Sequence, residues 1–144
     1  MAERCQPTRW VDGDTFSVSP TGKGDMVRVA GYDAPERGQP WSKVATAKLK
    51  ELTQNGADCE CRKRDKYDRS VCTVRVNGET VAVAMLKNGL GCIDLRFEGE
   101  AQQNDRKRAR EALNEAQSRR VGLWSDENPM CGKEYRDAKR TKRR

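Results

Sequence analysis

Between Asp12 and Glu36 the chain reads D-G-D-T, then two runs rich in β-branched and aromatic residues, 15–19 and 26–32, and then D-A-P-E. The interval Pro20-Thr-Gly-Lys-Gly-Asp25 that separates the runs is dense in turn formers, so the stretch predicts an antiparallel hairpin. Folded symmetrically about Lys23 and Gly24, it sets Thr15 opposite Tyr32 and Asp14 opposite Asp33. Directly opposed residues on antiparallel strands have β-carbons only about 5 Å apart. Two ionised carboxylates at that spacing repel each other and call for a cation between them. All-oxygen ligation favours a hard ion, Ca²⁺ or Mg²⁺, over zinc.

Downstream, the pattern changes to a helical period. Trp41, Ala45, Leu49 and Leu52 share one face of a 3.6-residue repeat, which predicts a helix over 41–55 with Pro40 near its start and Gly56 past its end. Segments 57–62 and 70–76 read as strands, and 6–11 as a weaker one. Asn77-Gly78 marks a turn, and Thr80 caps a short helix, 81–88, that Gly89 stops. A third helix is predicted over 104–120, with Ala109, Leu113 and Ala116 inward. Its Arg106, Lys107, Arg108 and Arg110 form a solvated face, or else touch nucleic acid. About five short strands with interleaved helices imply an α+β domain. A small sheet that curls on itself would hide its edges. The pattern alone leaves a barrel and an open sandwich both standing.

A length of 144 residues supports one domain with a proper core. No apolar run approaches the roughly 20 residues of a membrane-spanning helix. Met-Ala-Glu-Arg-Cys does not read as a signal peptide, so the chain either stays inside the cell or has lost a leader. The net charge of +7 points to a polyanionic partner. Much of it sits at the end: residues 133–144 carry seven cationic side chains against Glu134 and Asp137, leaving only two units for the rest. Residues 131–144 are therefore expected to be a flexible basic tail after a domain over 1–130, adding salt-sensitive affinity for nucleic acid.

Six cysteines and no histidine favour disulfides and an oxidising compartment. Zinc ligation and six reduced thiols are the alternatives. If the strands around Arg62–Arg69 pair about the middle of that loop, Cys61 faces Cys72, with Cys59 the competing partner.

Asp12-Gly-Asp-Thr15, Arg28 and Asp33-Ala-Pro-Glu36, followed by Asp65-Lys-Tyr-Asp-Arg69 and Gly122-Leu-Trp-Ser125, resemble the staphylococcal nuclease (thermonuclease) family in content and in order. The resemblance spans about Arg9 to Ser125. It implies a five-stranded OB-fold barrel with three helices, and a Ca²⁺-dependent nuclease acting on DNA and RNA. Expected further are low sequence selectivity, a preference for single strands, 3′-phosphate products, a monomeric state, and secretion or a periplasmic location if a leader is removed. A noncatalytic nucleic-acid-binding module of the same fold is the alternative.

Carried over by position, Asp14, Asp33 and the backbone carbonyl of Ala34 are the expected Ca²⁺ ligands, and Glu36 the expected general base. Arg28 and Arg69 are the expected phosphate clamps. Lys66, Tyr67 and Phe97 are expected to contact substrate. Ala34 stands where the family archetype has threonine, Asp68 where it has glycine, and Leu95 where it has a tyrosine. In a straight strand, Arg28 and Asp33 would be about 16 Å apart and on opposite faces. Arg28 therefore joins the site only if the chain bends at Ala30-Gly31.

Overall fold

A computed structural model describes residues 2–94 and 103–142. In chain order it has strands β1 (Glu3–Cys5), β2 (Arg9–Asp12), β3 (Thr15–Ser17), β4 (Met26–Val29) and β5 (Tyr32–Asp33). Helix α1 (Ser42–Thr53) follows, then β6 (Ala57–Arg64), β7 (Ser70–Val76), β8 (Glu79–Thr80), α2 (Val81–Lys87) and β9 (Cys92–Ile93). The chain continues through α3 (Gln103–Arg119), a 3₁₀ turn (Gly122–Ser125) and α4 (Gly132–Lys142).

The main sheet runs β1-β6-β7-β4-β3-β2, with β8 paired to β7; β5 and β9 form a second, two-stranded ladder. All neighbours are antiparallel except β4 and β7, which are parallel. This is a curled α+β, OB-fold-like architecture. Phe16, Val27, Val29 and Val74 of the sheet pack with Leu49 of α1 and Met85 and Leu86 of α2 into one core. Burying one such large side chain stabilises the fold by roughly 1.5–3 kcal/mol.

The predicted helices lie within a residue or two of their expected bounds. On α1, Ala45 and Leu49 are buried, and on α3 Ala109, Ala112 and Ala116. Thr80 caps α2 by accepting from the Val83 N–H at 3.3 Å. Asp105 at the start of α3 takes a forked pair of hydrogen bonds from Arg75 of β7, at 3.1 and 2.6 Å.

Two expectations are corrected, the helix count and one strand register, and one is met. The described residues contain four α-helices rather than three. The fourth, α4, runs through the basic segment that follows Cys131, which is bonded to Cys92. The β3–β4 register also differs: Thr15 pairs with Arg28 and Ser17 with Met26. Val18 donates to the Asp25 carbonyl in the same register, and Gly22, Gly24 and Asp25 take the left-handed conformation in the turn, so the hairpin closes nearer Thr21 than Lys23. Finally, six cysteines form three disulfides: Cys61–Cys72, as expected, with Cys5–Cys59 and Cys92–Cys131.

Candidate active site

The D-G-D-T turn is wedged against the rest of the fold. A β-carbon on Gly13 would stand 2.7 Å from the β-carbons of both Ala34 and Ala45, so only glycine lets the turn lie this close to α1 and to the D-A-P-E segment. The buried Tyr32 hydroxyl donates to the Gly13 carbonyl at 2.6 Å and pins the turn from the other side. Asp12 accepts the Asp14 N–H at 3.0 Å, an Asx-type turn that points the Asp14 carboxylate inward.

Asp14 is 7% exposed and does not face Asp33 across a ladder; its carbonyl instead takes the Val29 N–H at 2.8 Å. Its carboxylate still reaches the D-A-P-E segment, because Ala34 donates its N–H to Asp14 Oδ2 at 3.0 Å. What brings Asp33 back is the break between β4 and β5, where Gly31 adopts φ 103°. The bend expected at Ala30-Gly31 is therefore present, and it turns Asp33 toward Arg28.

Arg28 is 2% exposed, and its Nη2 lies 3.5 Å from Asp14, 3.7 Å from Asp33 and 3.2 Å from Asp94. One guanidinium thus bridges three buried carboxylates. Asp94, at the end of β9, is absent from the expected set; its only sequence signal is an isolated acid after a short apolar strand. Crowding of negative charge is visible in the acids themselves. Burial first, and then the Asp14 carboxylate, push Asp12 up to about 7. Burial likewise raises Asp33, against the opposing pull of Arg136 and Arg28.

Arg69 approaches from the β6–β7 loop. Its Nε donates to Asp65 Oδ2 at 2.7 Å and its Nη1 to Thr15 Oγ1 at 3.2 Å. Thr15 Oγ1 in turn donates to Asp14 Oδ1 at 3.1 Å, so a hydroxyl links the second guanidinium to the first carboxylate. Lys66 and Tyr67 sit at the same loop's tip: Tyr67 is 67% exposed, and the Lys66 ammonium and Arg69 guanidinium lie 5.2 and 5.3 Å from its ring centroid. Asp68 takes the left-handed conformation, φ 61°, that its glycine-like position requires, and its carboxylate turns out to Arg64 Nε at 2.8 Å. Leu95 and Phe97 lie outside the described residues.

Glu36 stands on the loop after β5, where its N–H donates to Gln39 Oε1 at 2.8 Å and its carboxylate meets Arg136 of α4. Arg136 also contacts both oxygens of Asp33, at 3.3 and 3.3 Å. Burial works against the charge on Arg136, but Glu36 and Asp33 outweigh it and raise its pKa above the ordinary arginine value. Sequence reasoning missed this residue, because a basic run at a chain end reads as a solvated face.

The class so defined is a small OB-fold-like domain whose acidic pocket is bordered by guanidinium groups on three separate elements. Residues 26–126 match the family model described as staphylococcal nuclease homologue. Endonuclease YncB of Bacillus subtilis is 35% identical over 127 residues, covering 81% of this chain and 59% of its own length. An uncharacterized endonuclease of Haemophilus influenzae is 27% identical over 139 residues, covering 92% and 72%. Protein ParB of Escherichia coli is 32% identical over 133 residues, covering 85% and 73%. The chain belongs to the staphylococcal nuclease family. It spans little more than half of the YncB relative, and 42% of the related SPbeta prophage-derived endonuclease YokF.

Proposed function

We propose that the chain is a nuclease that hydrolyses phosphodiester bonds of DNA and RNA with little sequence selectivity, using Ca²⁺ and leaving 3′-phosphate ends. The observation that carries this reading is the convergence of Arg28 and, through Thr15, Arg69 on the pair Asp14 and Asp33, with Glu36 at the mouth. The donor set fits a hard cation. Asp14, Asp33 and the Ala34 carbonyl offer only oxygen, and one arginine nitrogen already sits within 3.7 Å of both carboxylates. Among the described residues no three acidic, histidine or cysteine side chains form a ready-made cage, so water and phosphate would complete the shell. Bound there, Ca²⁺ supplies positive charge to a phosphate oxygen and offsets the charge that builds up during displacement.

The remaining work falls to the chain. Glu36 takes the proton of a water aligned with phosphorus. Arg28 and Arg69 donate forked hydrogen bonds to the phosphate oxygens, a task that suits a planar, permanently charged fork. Lys66 holds a neighbouring phosphate, and the exposed Tyr67 ring gives an unpaired base a stacking face, which favours single strands. The chain acts as a monomer. Three disulfides suit an oxidising compartment, so secretion or a periplasmic location is part of the proposal.

One observation favours the alternative of a noncatalytic binding module: Arg136 engages Asp33 and Glu36 directly. Digestion of single-stranded DNA in Ca²⁺, in Mg²⁺ and in chelator separates the two. Cleavage that needs Ca²⁺ supports the nuclease; tight binding with no turnover under any condition supports the module. In the first case Glu36→Gln lowers the rate by about 10²–10⁴, or roughly 3–5 kcal/mol of barrier. Unchanged turnover would remove Glu36 from the role of base.

A further inference from the structure

The carboxylates of this pocket already have a cation of their own, and it comes from the far end of the chain. Arg136 sets its fork against Asp33, with Nη1 and Nη2 each 3.3 Å from one carboxylate oxygen, and Nη1 also hydrogen-bonds Glu36 Oε1. One side chain thus occupies both oxygens of an expected ligand and one oxygen of the expected base.

The helix that carries Arg136 is seated for this contact. A β-carbon on Gly132, its first residue, would stand 2.5 Å from the Ala34 carbonyl oxygen and 3.1 Å from Asp33 Oδ2. The backbone there presses on the third expected ligand. Just before it, Cys131 is bonded to Cys92, the residue that pairs with Asp33 in the β5–β9 ladder. One residue earlier, the Met130 carbonyl accepts from Gln39 Nε2 at 2.6 Å, and Gln39 Oε1 is the acceptor of the Glu36 N–H. Three consecutive residues therefore fix the helix to the segment that holds Asp33, Ala34 and Glu36.

A divalent ion on Asp33 and the Ala34 carbonyl would face this guanidinium at close range, with like charges and a shared carboxylate. We propose that Arg136 is the resident counter-cation of the site and exchanges with the divalent ion, so that α4 sets the pocket's cation affinity. Asp33 and Glu36 become available together when Arg136 leaves. The side chain of Arg136 is 33% exposed, so it has an open route to solvent, and the Cys92–Cys131 bridge keeps its helix in reach while it swings. The inference rests on the cation site proposed above.

Calorimetric titration of the full oxidised chain with Ca²⁺, without nucleic acid, tests it. Arg136→Ala should bind Ca²⁺ at least about tenfold tighter than wild type, a difference of about 1.4 kcal/mol. The rise in Tm on adding Ca²⁺ should be correspondingly larger in the variant, since ligand binding to the folded state adds to stability. Arg140→Ala, which removes the same charge one turn further along α4, should leave the affinity near wild type. Equal or weaker Ca²⁺ binding by Arg136→Ala, with wild type still binding, overturns the exchange while leaving the cation site intact. Equal tightening by Arg140→Ala reduces the effect to net charge and also overturns it. Failure of both wild type and Arg136→Ala to bind Ca²⁺ overturns the cation site itself, and the exchange with it.

Discussion

Gly13→Ala places a methyl group where the turn, α1 and the D-A-P-E segment meet, and its consequence can be worked from three β-carbons. The added carbon lies 2.7 Å from Ala34 Cβ and 2.7 Å from Ala45 Cβ, against an optimum of about 3.5–4.0 Å for two carbons. Both neighbours are first atoms of their side chains and have no rotamer to escape into, so backbone must move by close to 1 Å. Overpacking of this kind costs about 1–3 kcal/mol. With an unfolding entropy of roughly 2.1 cal/mol/K per residue, a chain of this length loses about 3–10 °C in Tm. The movement also separates Ala34 from Asp14, whose 3.0 Å hydrogen bond depends on the same approach, so nuclease turnover should fall at temperatures where the variant is still folded. Calorimetric melting of Gly13→Ala, Ala45→Gly and the double variant forms a cycle. Ala45→Gly alone costs about 1 kcal/mol as a helix glycine. Relief of one of the two overlaps should make the double variant more stable than the two single losses predict. A Gly13→Ala Tm within one degree of wild type, or strictly additive losses, would refute the steric account.

Other expectations concern the β6–β7 loop. Burial pushes the Asp65 carboxyl up, but hydrogen bonds from the Arg69 and Tyr67 backbone and the Arg69 guanidinium prevail and hold it below its usual value of 3.8. A depressed folded pKa contributes stability that is present above the unfolded pKa and disappears as pH falls through the folded one. Asp65→Asn should therefore lower Tm at neutral pH, and its deficit should shrink as acid melts are carried below about pH 4; a deficit independent of pH would sink this reading. The Cys61–Cys72 bridge joins residues 11 apart, which in the chain-entropy account is worth about 3 kcal/mol. Cys61→Ala/Cys72→Ala should lower the urea midpoint accordingly. It should also raise KM for single-stranded DNA more than it weakens Ca²⁺ binding, because Lys66, Tyr67 and Arg69 lie inside the bridged interval and the carboxylates do not. An unchanged KM would show that the loop is held without the bridge.

Local signals and their limits divide the fold along a physical line. Helices α1, α2 and α3 were legible because a 3.6-residue apolar period and a cap at Thr80 act within one segment. Strand β7 and the pairing of Cys61 with Cys72 were legible because few residues separate the two strands, so the bulge between Cys61 and Lys63 shifts the register by a single residue. The β3–β4 register was not: the turn centres between Thr21 and Gly22, and counting inward from the ends cannot see which of its residues take the left-handed conformation. That error mattered less than it would in a straight hairpin, since Asp33 reaches the pocket by the Gly31 bend rather than by pairing.

The pocket itself separates in the same way. Asp14, Asp33, Glu36, Arg28 and Arg69 fall in short motifs whose order survives in the sequence, whereas Thr15 as a linking hydroxyl, Asp94 and Arg136 matter only through contacts made across the fold. Arg136 is the instructive case. On composition, residues 133–144 are a cationic run, and such runs are usually solvated. The sign against that reading was Cys131: a cysteine immediately upstream of the run, in a chain with an even count, needs a partner, and any partner within the domain draws the run back to it. Once Cys92 is that partner, two residues from Asp94 and paired with Asp33, the basic helix lies beside the acids of the pocket, and Arg136 pairs with Asp33 and Glu36 while Lys133 pairs with Asp137 along the helix. A segment that composition assigns to solvent is thus placed by one covalent bond at the acidic pocket, and the positive charge expected to recruit a polyanion is spent, in part, on holding the site's own carboxylates.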